Sequence, residues 1–107
     1  MPETPLTGNE NHDIDLETAS EWTANYRATV STSAILGNYF SQSAINGLLD
    51  QEGAIGIRIY YAIDGDGEKR LILVGVDGDG NDLYEGALAE LARTNPPYGV
   101  SANPLNS

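Results

Sequence analysis

Between residues 54 and 63 the chain alternates strictly, with Ile55, Ile57, Ile59, Tyr61 and Ile63 set against Gly56, Arg58, Tyr60 and Ala62. A period of two is that of a β-strand with one face in the core and the other half-exposed. Asp64-Gly65-Asp66-Gly67 follows, and Asp-Gly readily supplies the positive φ of a hairpin turn. The return strand, Arg70 to Val76, is apolar on both faces, so it is expected to be interior and flanked on its far side. A second Asp-Gly-Asp-Gly turn occupies 77–80, and Asn81 to Glu85 reads as a short third antiparallel strand.

Helical spacing governs the first half. Leu16, Ala19, Trp22, Thr23, Tyr26 and Val30 share one arc of a helix that starts near Asp15, whose carboxylate can accept from the first turn. Glu17 in that turn suits the helix dipole, and the face carrying Trp22, the single tryptophan, is expected to be buried. Residues 31–40 read as a short extended segment with a turn-like Gly37-Asn38. A second helix follows, with Ser41 as N-cap and Ala44, Ile45, Leu48 and Leu49 on one face, and Gly53 is placed to end it in the left-handed conformation. Gly86 to Arg93 reads as a short C-terminal helix with Ala87, Leu88, Leu91 and Ala92 on one side. The fold class is therefore α+β: two N-terminal helices packed on an antiparallel β-hairpin or meander of two to three strands, then a short C-terminal helix and an extended tail. Residues 1–13 form a flexible lead-in, 14–94 a single domain, and 95–107 a proline-containing tail in which Tyr98 and Leu105 can strap onto the domain.

A folded unit of about 80 residues has a modest core, for which self-association is a natural supplement. Sixteen acidic and five basic side chains give a net charge of −11, which repels nucleic-acid phosphates and anionic lipid. Direct binding of nucleic acid or membrane is not expected. The absence of cysteine excludes disulfides, thiolate metal sites and thiol catalysis. The N-terminus has neither the cationic nor the apolar region of a signal peptide, so a cytoplasmic location is expected.

Asp64, Asp66, Asp77, Asp79 and Asp82 are the candidates for calcium, which needs six to eight hard oxygen ligands. The second acidic run departs from an EF-hand loop, with Asp82 at the sixth position and Leu88 at the twelfth. A strand of about seven residues spans roughly 23 Å, which puts the two turns at opposite ends of the sheet. They are read as hairpin turns, with no cofactor. His12 lies in the lead-in, away from any nucleophile, and carboxylate pairs such as Asp50 with Glu52 have no apolar pocket to shift them. No catalytic constellation is visible. Arg58, Tyr60 and Arg70 are the interface candidates, because tyrosine and arginine are enriched in such places.

At GIRIYY (56–61), LILVGVDGDGND (71–82) and NPPYG (95–99) the chain resembles a group of short, uncharacterised acidic proteins of Bacteroidetes bacteria. The likeness covers about residues 15–99. The cysteine that often follows PPY in that group is Gly99 here, and the resemblance implies no activity, cofactor or substrate. The function expected from the residues is a non-enzymatic binding or assembly module, homodimeric through the exposed sheet face or edge around Arg58, Tyr60 and Arg70. The alternatives are an acidic inhibitor that imitates nucleic acid and engages a basic protein, and a small enzyme or calcium-dependent module.

Overall fold

The computed structural model describes residues 6–90, 93–95 and 101–106. Along the chain run α1 (Leu16–Arg27), β1 (Gly37–Tyr39), α2 (Gln42–Leu49), β2 (Ala54–Ile63), β3 (Lys69–Asp77), β4 (Leu88–Ala89) and β5 (Arg93–Asn95). The elements divide into two compact units, one made of Met1–Glu10 and Tyr39–Ala92, the other of Asn11–Asn38 and Arg93–Ser107.

The first unit is an antiparallel sheet in the order β2-β3-β4 with α2 against it. β2 and β3 begin and end within a residue of the positions expected from the alternation over 54–63 and the apolar run over 70–76. Their register pairs Ile57 with Gly75, Ile59 with Leu73 and Tyr61 with Leu71. The doubly apolar β3 is the interior strand, as expected, and its Leu73, Val74 and Val76 are buried. Leu48 of α2, 1% exposed, packs with Leu73 and Ala89, and Phe40, Ala44, Ile45, Ile57 and Leu71 surround that cluster. α2 begins where its sequence says: the Ser41 hydroxyl accepts from Ala44 N at 3.1 Å. It ends at Leu49 with Asp50 as C-cap, and Gly53, at φ +85°, serves the turn into β2.

The two Asp-Gly-Asp-Gly turns close in the same way. Asp64 Oδ1 accepts from Asp66 N (2.8 Å) and Glu68 N (3.0 Å), and Asp77 Oδ1 accepts from Asp79 N and Asn81 N (both 3.0 Å). Gly67 N donates to Asp64 O and Gly80 N to Asp77 O, and both glycines sit near φ +85°, where a side chain would be strained. The aspartate carboxylate thus caps its own turn, which is why this residue precedes glycine here.

Beyond the second turn the structure departs from expectation. The stretch 81–85 makes a single bridge, Asp82 with Val76, and Leu83 N donates to Gly75 O. The third strand is Leu88–Ala89, paired with Val74 and Leu73, inside the segment expected to form a C-terminal helix over 86–93. An isolated helix of eight residues carries the full cost of nucleation, whereas the open edge of an apolar strand rewards any segment that pairs with it. Of the rest of that expected helix, residues 91–92 lie outside the described residues and Arg93 opens β5, a strand where the end of the helix and the start of the tail were expected. Residues 1–5 of the lead-in and Pro96, Pro97 and Tyr98 of the expected strap also lie outside the described residues. Leu6 N donates to Gly78 O at 3.2 Å, and a Cβ on Gly8 would stand 2.9 Å from Ile55 O, so residues 6–8 lie against the sheet unit.

Gln51 ties α2 to the 83–87 turn. Its Nε2 donates to Leu48 O at 2.9 Å and its Oε1 accepts from Ala87 N at 3.0 Å. Gly75 and Gly86 flank this amide, and neither position has room for a Cβ.

The second unit holds α1, β5 and Gly37 and Asn38 of β1, and β1 pairs with β5 in a two-stranded sheet. The strand at 37–39 fits the extended segment expected in 31–40 but takes in Gly37 and Asn38, which were expected to turn. α1 starts at the predicted cap, with Asp15 Oδ1 accepting from Thr18 N at 2.7 Å. It stops at Arg27, short of Val30, and Arg27 Nη1 donates to Leu105 O at 2.9 Å. The expected burial of its Trp22 face fails: Trp22 is 59% exposed and no α1 residue is buried. Helical spacing decides which side chains share a face, but not whether another element lies on it.

Candidate functional site

β2 forms one edge of its sheet and carries a row of exposed apolar side chains. Ile59, Tyr61 and Ile63 are 52%, 92% and 72% exposed. The alternation had assigned all three to the core, and the geometry of α2 explains the correction. Leu73, opposite Ile59, is buried with Leu48 of α2 and Ala89 of β4, and Leu71, opposite Tyr61, packs against them, so α2 sits over β3 and β4 and leaves the outer edge of β2 bare beyond Ile57.

The backbone of the same residues faces outward. Asp64 N donates to Glu68 O across the hairpin, which sets the antiparallel alternation. Even-numbered residues 56–62 exchange bonds with β3, and Ile57, Ile59, Tyr61 and Ile63 turn their N–H and C=O groups to the other side, where no strand pairs with them among the described residues. The register shifts between Ala54 and Gly56, an irregularity that ends the regular edge near Ile57, where Gly8 also approaches.

The opposite face carries the interface candidates, and each is engaged within the chain. Arg58 Nη1 donates to Asp82 Oδ1 and, at 3.1 Å, to Gly80 O, while Tyr60 Oη donates to Asp82 Oδ2. Arg70 Nε donates to Asp64 Oδ2 at 2.9 Å and stands 3.7 Å from Glu90 Oε2. The structure thus brings Arg58 and Tyr60 together on one carboxylate and places Arg70 apart, at the hairpin's tip. From the sequence alone Asp82 stands out only as a calcium candidate. Its place beside Arg58 and Tyr60 follows from its bridge to Val76, which requires knowing that both turns close alike.

The bond from Tyr60, followed by that from Arg58, holds the Asp82 carboxyl below its ordinary range, and the Asp82 bond in turn raises both Tyr60 and Arg58. Asp64 is lowered by the backbone N–H of Glu68, then by Arg70 and by Asp66 N–H. Carboxyls with depressed folded pKa values stabilise fully above the unfolded value of about 3.9, and this contribution is lost as pH falls through the folded values. Thermal unfolding followed from about pH 5 to about pH 2 is expected to show a falling Tm. Asp82→Asn should lower Tm at neutral pH and flatten that acid slope; an unchanged slope would show that the Asp82 bonds contribute nothing.

Of the five calcium candidates, Asp64, Asp77 and Asp82 direct carboxylate oxygens at the chain's own donors. The two turns lie at opposite ends of β3. Among the described residues no three His, Asp or Glu side chains gather where they could hold a metal ion. His12 is exposed. No described helix is long and apolar enough to cross a membrane.

Comparisons of the chain with protein-family models, curated proteins and solved structures return no match. The functional reading therefore rests on this geometry.

Proposed function

We propose that the chain is a non-enzymatic assembly module that self-associates through the exposed half of β2. The supporting observation is the coincidence, on Ile59, Tyr61 and Ile63, of exposed apolar side chains with outward-facing backbone donors and acceptors. Such an edge is a template for pairing with another chain. Of the face and the edge expected around Arg58, Tyr60 and Arg70, the proposal takes the edge and rests it on other residues, since the polar groups of those three already bond to Asp82 and Asp64. Those ion pairs keep their own face of the hairpin closed to simple charge pairing.

Electrostatics limits where an acidic chain can meet a partner. β2 carries no carboxylate over its ten residues, and its one cation, Arg58, is neutralised by Asp82. Self-association brings together two chains of charge −11, so added salt should strengthen it by screening the general repulsion. Light scattering over a concentration series is expected to show a mass increase that Ile63→Lys weakens by at least about tenfold in dissociation constant. Because Ile63 is exposed, that variant should keep the wild-type Tm. A wild-type protein that stays monomeric at millimolar concentration in high salt would refute the proposal.

A further inference from the structure

We infer that the partner at this edge is a second copy of the chain, with β2 pairing antiparallel to β2 about a twofold axis at Tyr60. The inference rests on the self-association proposed above and adds the geometry. Reversal about Tyr60 sets Ile57 opposite Ile63 of the other copy and Ile59 opposite Tyr61. The four residues whose backbone groups face outward are then the four that exchange them, each opposite pair sharing two bonds. Their side chains all lie on one face, so the exposed apolar row of one copy continues into that of the other.

Charge selects the same register. Arg58 falls opposite Ala62 and Asp64 opposite Gly56, so no like charges meet across the seam. An axis at Arg58 would set the two guanidinium groups face to face. The paired stretch also ends where the edge itself ends, at the irregularity between Ala54 and Gly56 and the approach of Gly8 to Ile55. On the other face the two Tyr60 rings become direct neighbours, each with its hydroxyl held by its own Asp82. The four-residue run is thus complementary to its own reverse, which a strand built for an unrelated partner has no need to be.

The chain has no cysteine, so single-cysteine variants report the register cleanly. Tyr60 of the two copies would form a non-hydrogen-bonded pair with Cα atoms about 4.5 Å apart, inside the range a disulfide bridges. Ile59→Cys and Tyr61→Cys would each stand about 8 Å from their own counterparts, beyond that range. Under mild oxidation Tyr60→Cys is expected to run as a covalent dimer while the other two stay monomeric on a denaturing gel. Hydrogen exchange on the unaltered protein gives a second readout, independent of any effect of the Tyr60 substitution on folding. Raising the concentration through the association range should slow the amides of Ile57, Ile59, Tyr61 and Ile63 at least about tenfold, with little change at Arg58, Tyr60 and Ala62. Crosslinking at 59 or 61 instead of 60 would overturn the axis, and association without protection of the four amides would overturn edge pairing, in both cases leaving self-association intact. Absence of association at any concentration would remove both readings.

Discussion

Replacing Leu48 by alanine is expected to lower the unfolding free energy by about 2–5 kcal/mol, the largest effect of any single truncation in the sheet unit. Leu48 is 1% exposed and joins α2 to both Leu73 of β3 and Ala89 of β4. Its loss would leave a cavity lined by Phe40, Ile45 and Ile57, held open by a helix anchored at both ends. Ser41 caps one end and Gln51 clamps the other, so the walls have little freedom to collapse. Leu49, the next residue, is 40% exposed, and Leu49→Ala should cost far less. Urea denaturation of the two variants tests the contrast. Equal effects would mean that α2 is not seated on the sheet through Leu48.

Adding one methyl group at Gly75 is expected to destabilise the fold by about 1–3 kcal/mol. A Cβ there would lie 2.7 Å from Gln51 Nε2 and 3.1 Å from Leu48 O. The glutamine amide can swing away only by giving up its bonds to Leu48 O and Ala87 N, and Leu48 O is backbone that moves only with the helix. The double variant Gln51→Ala with Gly75→Ala separates the two obstacles. If the amide is the main one, the double variant will be more stable than the sum of the single effects predicts. A Gly75→Ala protein with wild-type stability would mean that α2 floats above β3 more loosely than the structure has it. Neither substitution touches Ile59, Tyr61 or Ile63, so whatever fraction remains folded should still self-associate.

The proposed surface and the core are two halves of one pattern. Ile57 and Ile63 stand three alternations apart on the same face of β2, yet Ile57 packs beside Leu48 and Ile63 is open to solvent. The difference lies in where α2 sits, over β3 and β4 with only Ile57 of β2 within its reach, not in the character of either isoleucine. A second copy that extends the sheet would lengthen the apolar row without covering it from above. The surface of the assembled state would therefore still carry Tyr61, and further association through that face is held in check by the chain's charge of −11.

What could be read directly from the residues was local and geometric. Alternation located β2, a doubly apolar run between turn signals located β3, and the two Asp-Gly-Asp-Gly runs located the turns, because period two and positive φ are requirements of the backbone itself. Asp15 and Ser41 marked their helix starts for the same reason, since an exposed N–H at a helix end needs an acceptor within reach. The interior place of β3 followed from its two apolar faces. Tertiary structure decided what lies against what. It turned Leu88–Ala89 from an expected helix into a strand, because an unpaired edge of β3 outweighs the weak preference of a short segment. It left Trp22 and Tyr61 exposed although both sit on apolar faces, because burial depends on a covering element that the residue's own neighbours do not specify. And it bound Arg58 and Tyr60 to Asp82, more than twenty positions away, because ion pairs form through space at a register that only the closed turns define.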